Sequence, residues 1–319
     1  MPLALPHTAY VKEDQATIGS ILKLLAYFDM FDHPISIGEI QSFIPQKIYR
    51  NKLILTLEKL VFDKLIFCYN GFYSLRNDEC LSAKRIRANN LAEPMIGKAN
   101  EMAKFFFWFP YVRGIGISGS LSKKVAAEDS DIDLFIITRS NRLWIARTLM
   151  FLFIKLFYLV KRPYWYCLNY FIDEEALQIE EKNVFTAIET MTLIPVCGNG
   201  TMDKFFNANS WITNYYHDYA TVTNNHKTYS NKHWIKTLIE WSLNNRVGSW
   251  LDNYFFRLTK KRWNKMEGKG ITNEKGQRFG MKADKHYSKP NPVFFQEKLL
   301  TRYNSRLNEL KAKLPDYFN

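Results

Sequence analysis

Four cysteines in 319 residues, Cys68, Cys80, Cys167 and Cys197, stand too far apart to form a CxxC metal pattern, and a reduced, cytoplasmic chain is the simpler expectation. Residues 1–16 lack the basic start and continuous apolar run of a secretory signal, so export is not expected. No HExxH segment points to a zinc hydrolase, and no GxxxxGK run ending in Ser or Thr forms a P-loop. Gly114-Ile115-Gly116-Ile117-Ser118-Gly119 imitates GxGxxG only in part, because its glycines fall largely inside a predicted strand. Only Leu143 to Val160 is apolar over about 18 residues, the lower limit for spanning a bilayer. Arg147 and Lys155 interrupt it, and the expectation is a packed helix whose long cations carry their heads to solvent. Acidic residues are the minority, 31 against 44 Lys and Arg, for a net charge of +13. That balance attracts phosphates, nucleic acid or an anionic membrane, and solubility alone also accounts for it.

What is present is enough apolar surface for a substantial core, with hydrophobic residues at 47%. Near the start, Ile21, Leu24, Leu25 and Phe28 fall at helical spacing within Ile18 to Phe31, and Asp32-His33-Pro34 breaks the pattern. Ser36 and Glu39 form a capping-box pair for a short second helix, and Lys47 to Phe62 reads as a third, with Leu53, Leu57 and Leu60 or Val61 inward. Asn70-Gly71 between two β-prone runs signals a tight hairpin. Three helices followed by a hairpin resemble a winged helix-turn-helix over about residues 17–76. That resemblance implies DNA contacts from Lys47, Tyr49, Arg50 and Lys52 at the start of the third helix; an accessory or protein-contact module is the other reading.

The chemistry concentrates further on. Val112 to Ser118 reads as a strand entering Gly119-Ser120, where glycine permits positive φ and close approach of a phosphate. Ser130-Asp131-Ile132-Asp133-Leu134 then opens an apolar strand whose period of two puts Asp131 and Asp133 on one face and Ile132 and Leu134 on the other. Two carboxylates so close call for a cation or hydrogen bonds, and Mg²⁺ supplies hard oxygen coordination with room left for phosphate. This constellation resembles the nucleotidyltransferase superfamily that includes DNA polymerase beta, poly(A) polymerases and antibiotic nucleotidyltransferases. The resemblance implies that Gly119 and Ser120 contact nucleotide phosphates and that Asp131 and Asp133 ligate catalytic Mg²⁺. Lys123 and Lys124 are candidates to neutralise phosphate charge, with a solvated surface position the alternative.

Many members of that superfamily carry a third carboxylate on a later strand. Here Asn169 occupies the centre of the predicted strand Tyr166 to Ile172, and an amide cannot act as a carboxylate base. Asp173 follows within reach of a bend, with a surface turn as the alternative. The resemblance therefore implies transfer of a nucleoside monophosphate from an NTP to an acceptor hydroxyl, releasing pyrophosphate. The competing reading is a noncatalytic DNA-binding or regulatory scaffold with a degenerate transferase domain. The expected fold is α/β or α+β: a mixed nucleotidyltransferase-like sheet with packed helices, preceded by the winged module and followed by a helical region. Its expected divisions are 1–76, a helical connector at 77–108, a core at 109–195 and a mainly helical 196–319. Within the last, Trp211 is read as core packing, 223–231 as a polar linker, Lys260-Lys261-Arg262 with Lys265 as a basic patch for an RNA backbone, an acidic partner or solvent, and 268–280 as a loop.

Overall fold

The computed structural model describes residues 7–160, 166–219, 228–229, 233–270, 280–290 and 295–318. Within these, the side chains of residues 7–14, 157–160, 166, 167, 169, 199, 281 and 290 are outside the description. Two compact units result, each assembled from separated stretches of chain: residues 1–87 with 211–222 and 296–319, and residues 88–210 with 223–295. The described residues form a mixed α/β structure of eleven helices and two sheets. Among them, no helix is long and apolar enough to cross a membrane.

In the first unit, helix α1 (His7–Asp29) buries Ile21, Leu22, Leu25 and Phe28. Strand β1 (Ile35–Ser36) leads into α2 (Ile37–Ser42), whose start is held as the sequence suggests: the Ser36 backbone N–H donates to Glu39 Oε2 at 2.8 Å, and Ser36 Oγ accepts from the Glu39 N–H. Helix α3 (Arg50–Phe62) begins three residues later than expected and buries Leu53, Leu57 and Leu60, a stripe at helical spacing. Strands β2 (Phe67–Tyr69) and β3 (Phe72–Ser74) close a hairpin whose Asn70 and Gly71 both take positive φ, 52° and 77°. These are the values a two-residue turn of the right twist needs. The sheet order is β1-β3-β2. A late helix, Phe295–Lys313, contributes Arg306, which with Arg76 neutralises the buried Asp29 carboxylate at 2.8 and 2.5 Å.

Helix α4 (Glu79–Phe106) runs through the expected helical connector as 28 continuous residues and carries Pro94 in its interior. In the second unit, β4 (Val112–Ile117), β5 (Ile132–Thr138), β6 (Tyr166–Asp173) and β7 (Ile194–Cys197) join β8 (Met281–Ala283) and β9 (Tyr287–Pro290) in one sheet, order β7-β4-β5-β6-β9-β8. All pairings are antiparallel except β5 with β6. That parallel pair needs a crossover, and helix α6 (Leu143–Val160) supplies it. Leu134, Phe135, Ile136 and Ile137 are all buried, so β5 is covered on both faces. Ile132, Leu134 and Ile136 join the core built with α4 and α6, whereas Phe135 packs at 4.8 Å against Phe205 of helix α8 (Asn199–Ala208). Strands β8 and β9 are additions to the expected helical region; at three and four residues they are too short to announce a period of two.

Candidate active site

The site grows from the end of β4. Ile117 pairs with Leu134 across the sheet, and the Ser118 N–H donates to the Asp133 carbonyl at 2.9 Å, extending the ladder by one rung. The chain then turns through Gly119 at φ +70° into a single helical turn, α5 (Gly119–Ser122). A Cβ at Gly119 would lie 2.3 Å from Asp133 Oδ2 and 3.2 Å from Asp133 Cβ. The Asp133 side chain is thus laid directly over the glycine. Both the left-handed backbone and the missing side chain are needed for that approach.

Asp133 is half-buried on the face that also carries Phe135 and Ile137, and Asp131, one residue before the strand, is exposed. The strand begins at Ile132, one residue later than the sequence reading drew it. Ser120 is exposed on the outer side of the turn.

Lys123 points back under the turn. Its Nζ donates to the Gly119 carbonyl at 3.0 Å and pairs with Glu189 at 2.8 Å, on helix α7 (Val184–Met191). Ser122 Oγ donates to the same Gly119 carbonyl at 2.8 Å and lies 3.3 Å from Thr192 Oγ1. The glycine turn is therefore braced from below, and the charge of Lys123 is committed to Glu189. Lys124 is exposed and itself left-handed, at φ +57°. Of the two lysines, it alone faces solvent freely enough to reach a phosphate beside the turn.

Asn169 lies in β6 next to β5, and its side chain lies outside the described residues. The backbone register is informative: Leu168 pairs with Leu134 and Tyr170 with Phe135, so Asn169 is the extra residue of a bulge, two positions beyond the Cys167 that pairs with Asp133. Asp173 is placed apart. It pairs with Thr138, five residues along β5 from Asp133, which is about 16 Å at 3.3 Å per residue. Its fully buried carboxylate accepts from the Asn141 N–H at 2.9 Å and the Glu175 N–H at 3.0 Å, and meets His286 Nδ1 at 2.9 Å. These partners make it the clasp of the loop after β5. Asp173 is not beside the Asp131–Asp133 pair, and its oxygens are turned to other work.

Among the described residues, no three His, Cys, Asp or Glu side chains cluster closely enough to hold a metal by themselves. The local donors are the two aspartates, hard oxygen ligands of the kind Mg²⁺ takes one or two of when substrate phosphates complete its shell. The space above Gly119 that a Cβ would take is filled by the Asp133 carboxylate, so the glycine is what lets this oxygen donor sit against the turn. The donor set fits Mg²⁺ with a bound phosphate.

Comparison with family models, with curated proteins and with solved structures returns no match. The case for the site rests on its own residues. Glu189, Ser122 and Thr192, which position the turn, carry no motif; the only sequence hint is the helical spacing that puts Glu189 and Thr192 on adjacent turns of one segment. His286 has none, standing 113 residues from its partner Asp173.

Proposed function

We propose that the chain is a metal-dependent nucleotidyltransferase with a nucleotidyltransferase-like core and a winged helix-turn-helix-like N-terminal module. In this reading the acceptor hydroxyl oxygen bonds to the α-phosphorus of an NTP, the bond to the bridging oxygen breaks, and pyrophosphate leaves. The observation that carries the proposal is the seating of Asp133 over Gly119, with Asp131 two residues before it. Asp131 and Asp133 would hold Mg²⁺, which when bound offsets triphosphate charge and favours loss of the acceptor's proton. Gly119 and Ser120 line the approach of the phosphates, and Lys124 adds positive charge at the rim. Lys123, through the Gly119 carbonyl, keeps the turn in place. In the N-terminal module, the three helices and the β1-β3-β2 sheet support the winged-helix reading, and exposed Lys47, Tyr49 and Arg50 offer a face to a nucleic acid.

One observation favours a noncatalytic scaffold: Asp173 is engaged elsewhere, which leaves Asn169 as the nearest counterpart of a third acid. The two readings separate in one assay. Mg²⁺-dependent incorporation from labelled ATP, CTP, GTP or UTP is expected with the intact chain and roughly 10²–10³-fold lower in Asp131→Ala and Asp133→Ala proteins that keep their fold. If none of the four nucleotides, with Mg²⁺, raises the melting temperature of the intact chain, the nucleotide-site reading itself is sunk.

A further inference from the structure

The strongest unassigned feature is the outer face of helix Arg246–Gly268. Its inner face is accounted for: Asp252 accepts from the Ile145 N–H at 2.9 Å, and Phe256 and Trp263 pack on Trp144 at 5.2 and 6.1 Å. On the other side Val247, Trp250, Tyr254 and Leu258 are 62, 64, 48 and 55% exposed. Their spacing of three, four and four residues sets them in one stripe about 80° wide. Trp250 and Tyr254 stack at 5.6 Å. The preceding helix, Trp234–Ser242, adds Trp234, Leu238 and Trp241 at 72, 55 and 78% exposure. Scattered apolar residues need no explanation, but four large ones in one stripe, with three more exposed on the helix before it, leave apolar area that water solvates poorly.

Charge identifies what covers it. Exposed Lys261 and Lys265 continue the stripe toward the helix end, and exposed Arg246, Arg257 and Arg262 flank it. The helix has only two acids: Asp252, buried beneath, and Glu267, on the far side of the helix from the stripe. Arg147, from the neighbouring helix, is buried among the rings of Phe151 and Trp263 at 4.3 and 4.7 Å, and its Nε has no hydrogen-bond partner. Burial and the nearby charge of Arg262 both disfavour its charged form. A Trp- and Leu-bearing stripe bordered by guanidinium and ammonium groups matches the boundary of acyl chains and phosphate headgroups. Val247, Leu258 and Leu238 offer nothing for a nucleobase to stack on, which favours hydrocarbon over RNA.

We propose that this face docks the protein peripherally on an anionic phospholipid bilayer. The full chain is mixed with vesicles of phosphatidylcholine alone or with added phosphatidylglycerol, and binding is read by flotation and by the tryptophan emission shift. Binding to the phosphatidylglycerol vesicles alone is expected, weakened by salt. Lys261→Ala with Lys265→Ala lowers affinity about 25-fold, at about fivefold per cation. Trp250→Ala with Leu258→Ala lowers it about tenfold or more, with circular dichroism unchanged. Absence of binding at low salt overturns the proposal, as does binding that survives Trp250→Ala with Leu258→Ala. Two other results overturn it in favour of a different occupant: RNA binding lost in those same variants, or a dimer of the chain that they dissociate.

Discussion

Replacing Gly119 by alanine tests the geometry on which the candidate site depends. The substitution has two costs. Alanine held at φ +70° pays about 1–2 kcal/mol for the left-handed backbone. Its Cβ would also lie 2.3 Å from Asp133 Oδ2, so the carboxylate must leave its rotamer, at about 1 kcal/mol. The sum is about 2–3 kcal/mol. In an Asp133→Ala background Oδ2 and Cγ are gone and only the Cβ contact at 3.2 Å persists, so the cost of Gly119→Ala should fall by about 1 kcal/mol. Urea titrations of the four proteins, followed by tryptophan fluorescence, measure both values. Seven of the eight tryptophans belong to the second unit, so the signal reports the half that holds the site. An equal cost in both backgrounds would refute the placement of Asp133 over the glycine, and with it the argument for the site.

Asp252 gives a pH signature: burial pushes its carboxyl up to about 6 against the N–H bonds from Ile145 and Trp144. A carboxyl raised in the folded state holds its proton more tightly there, so its contribution to stability is full below about 3.8 and is lost as pH climbs through about 6. Between those values the wild type should lose up to about 3 kcal/mol relative to Asp252→Asn, read from denaturation midpoints; parallel pH profiles would contradict this. Arg113→Ala removes a two-armed pair with Glu240, at 2.9 and 2.6 Å, whose Oε1 also accepts the Tyr111 N–H. A cost of about 2–3 kcal/mol is expected, with a smaller one for Glu240→Gln, and thermal melts of both variants measure it. Lys124→Gly should be neutral to about 1 kcal/mol stabilising, since it relieves φ +57°, whereas Lys123→Ala should cost about 1 kcal/mol by releasing Glu189 and the Gly119 carbonyl. The two lysines would behave alike only if the bracing contact were absent.

Local rules explain which parts of the fold were legible. Ser36 with Glu39, Asn70-Gly71 and the leucines of α3 are interactions completed within a few residues, so their geometry is written in adjacent letters. Gly119 and Asp133 are fourteen residues apart, yet they were legible too, because a turn of positive φ and a strand of period two each leave a local mark. The late strands were not legible. Tyr287–Pro290 is held by pairing with β6, more than a hundred residues earlier, Met281–Ala283 pairs in turn with Tyr287–Pro290, and a strand of three or four residues has no pattern of its own.

Asp173 shows where adjacency misleads. In the sequence it stands four residues beyond Asn169, close enough to bend toward the aspartate pair. In the structure β6 stays extended through both, so four residues become about 13 Å of strand, and the carboxylate emerges at the far end of the sheet. There it finds backbone N–H groups and His286, partners that no local pattern supplies. A strand separates neighbours that a helix would bring together, so the same spacing in α6 would have left the two side chains one turn apart. The bulge at Asn169 carries the opposite lesson. A register slip is set by the partner strand, and it is what puts Asn169, two residues past the pairing of Cys167 with Asp133, at the irregular point of the sheet nearest the candidate metal ligands.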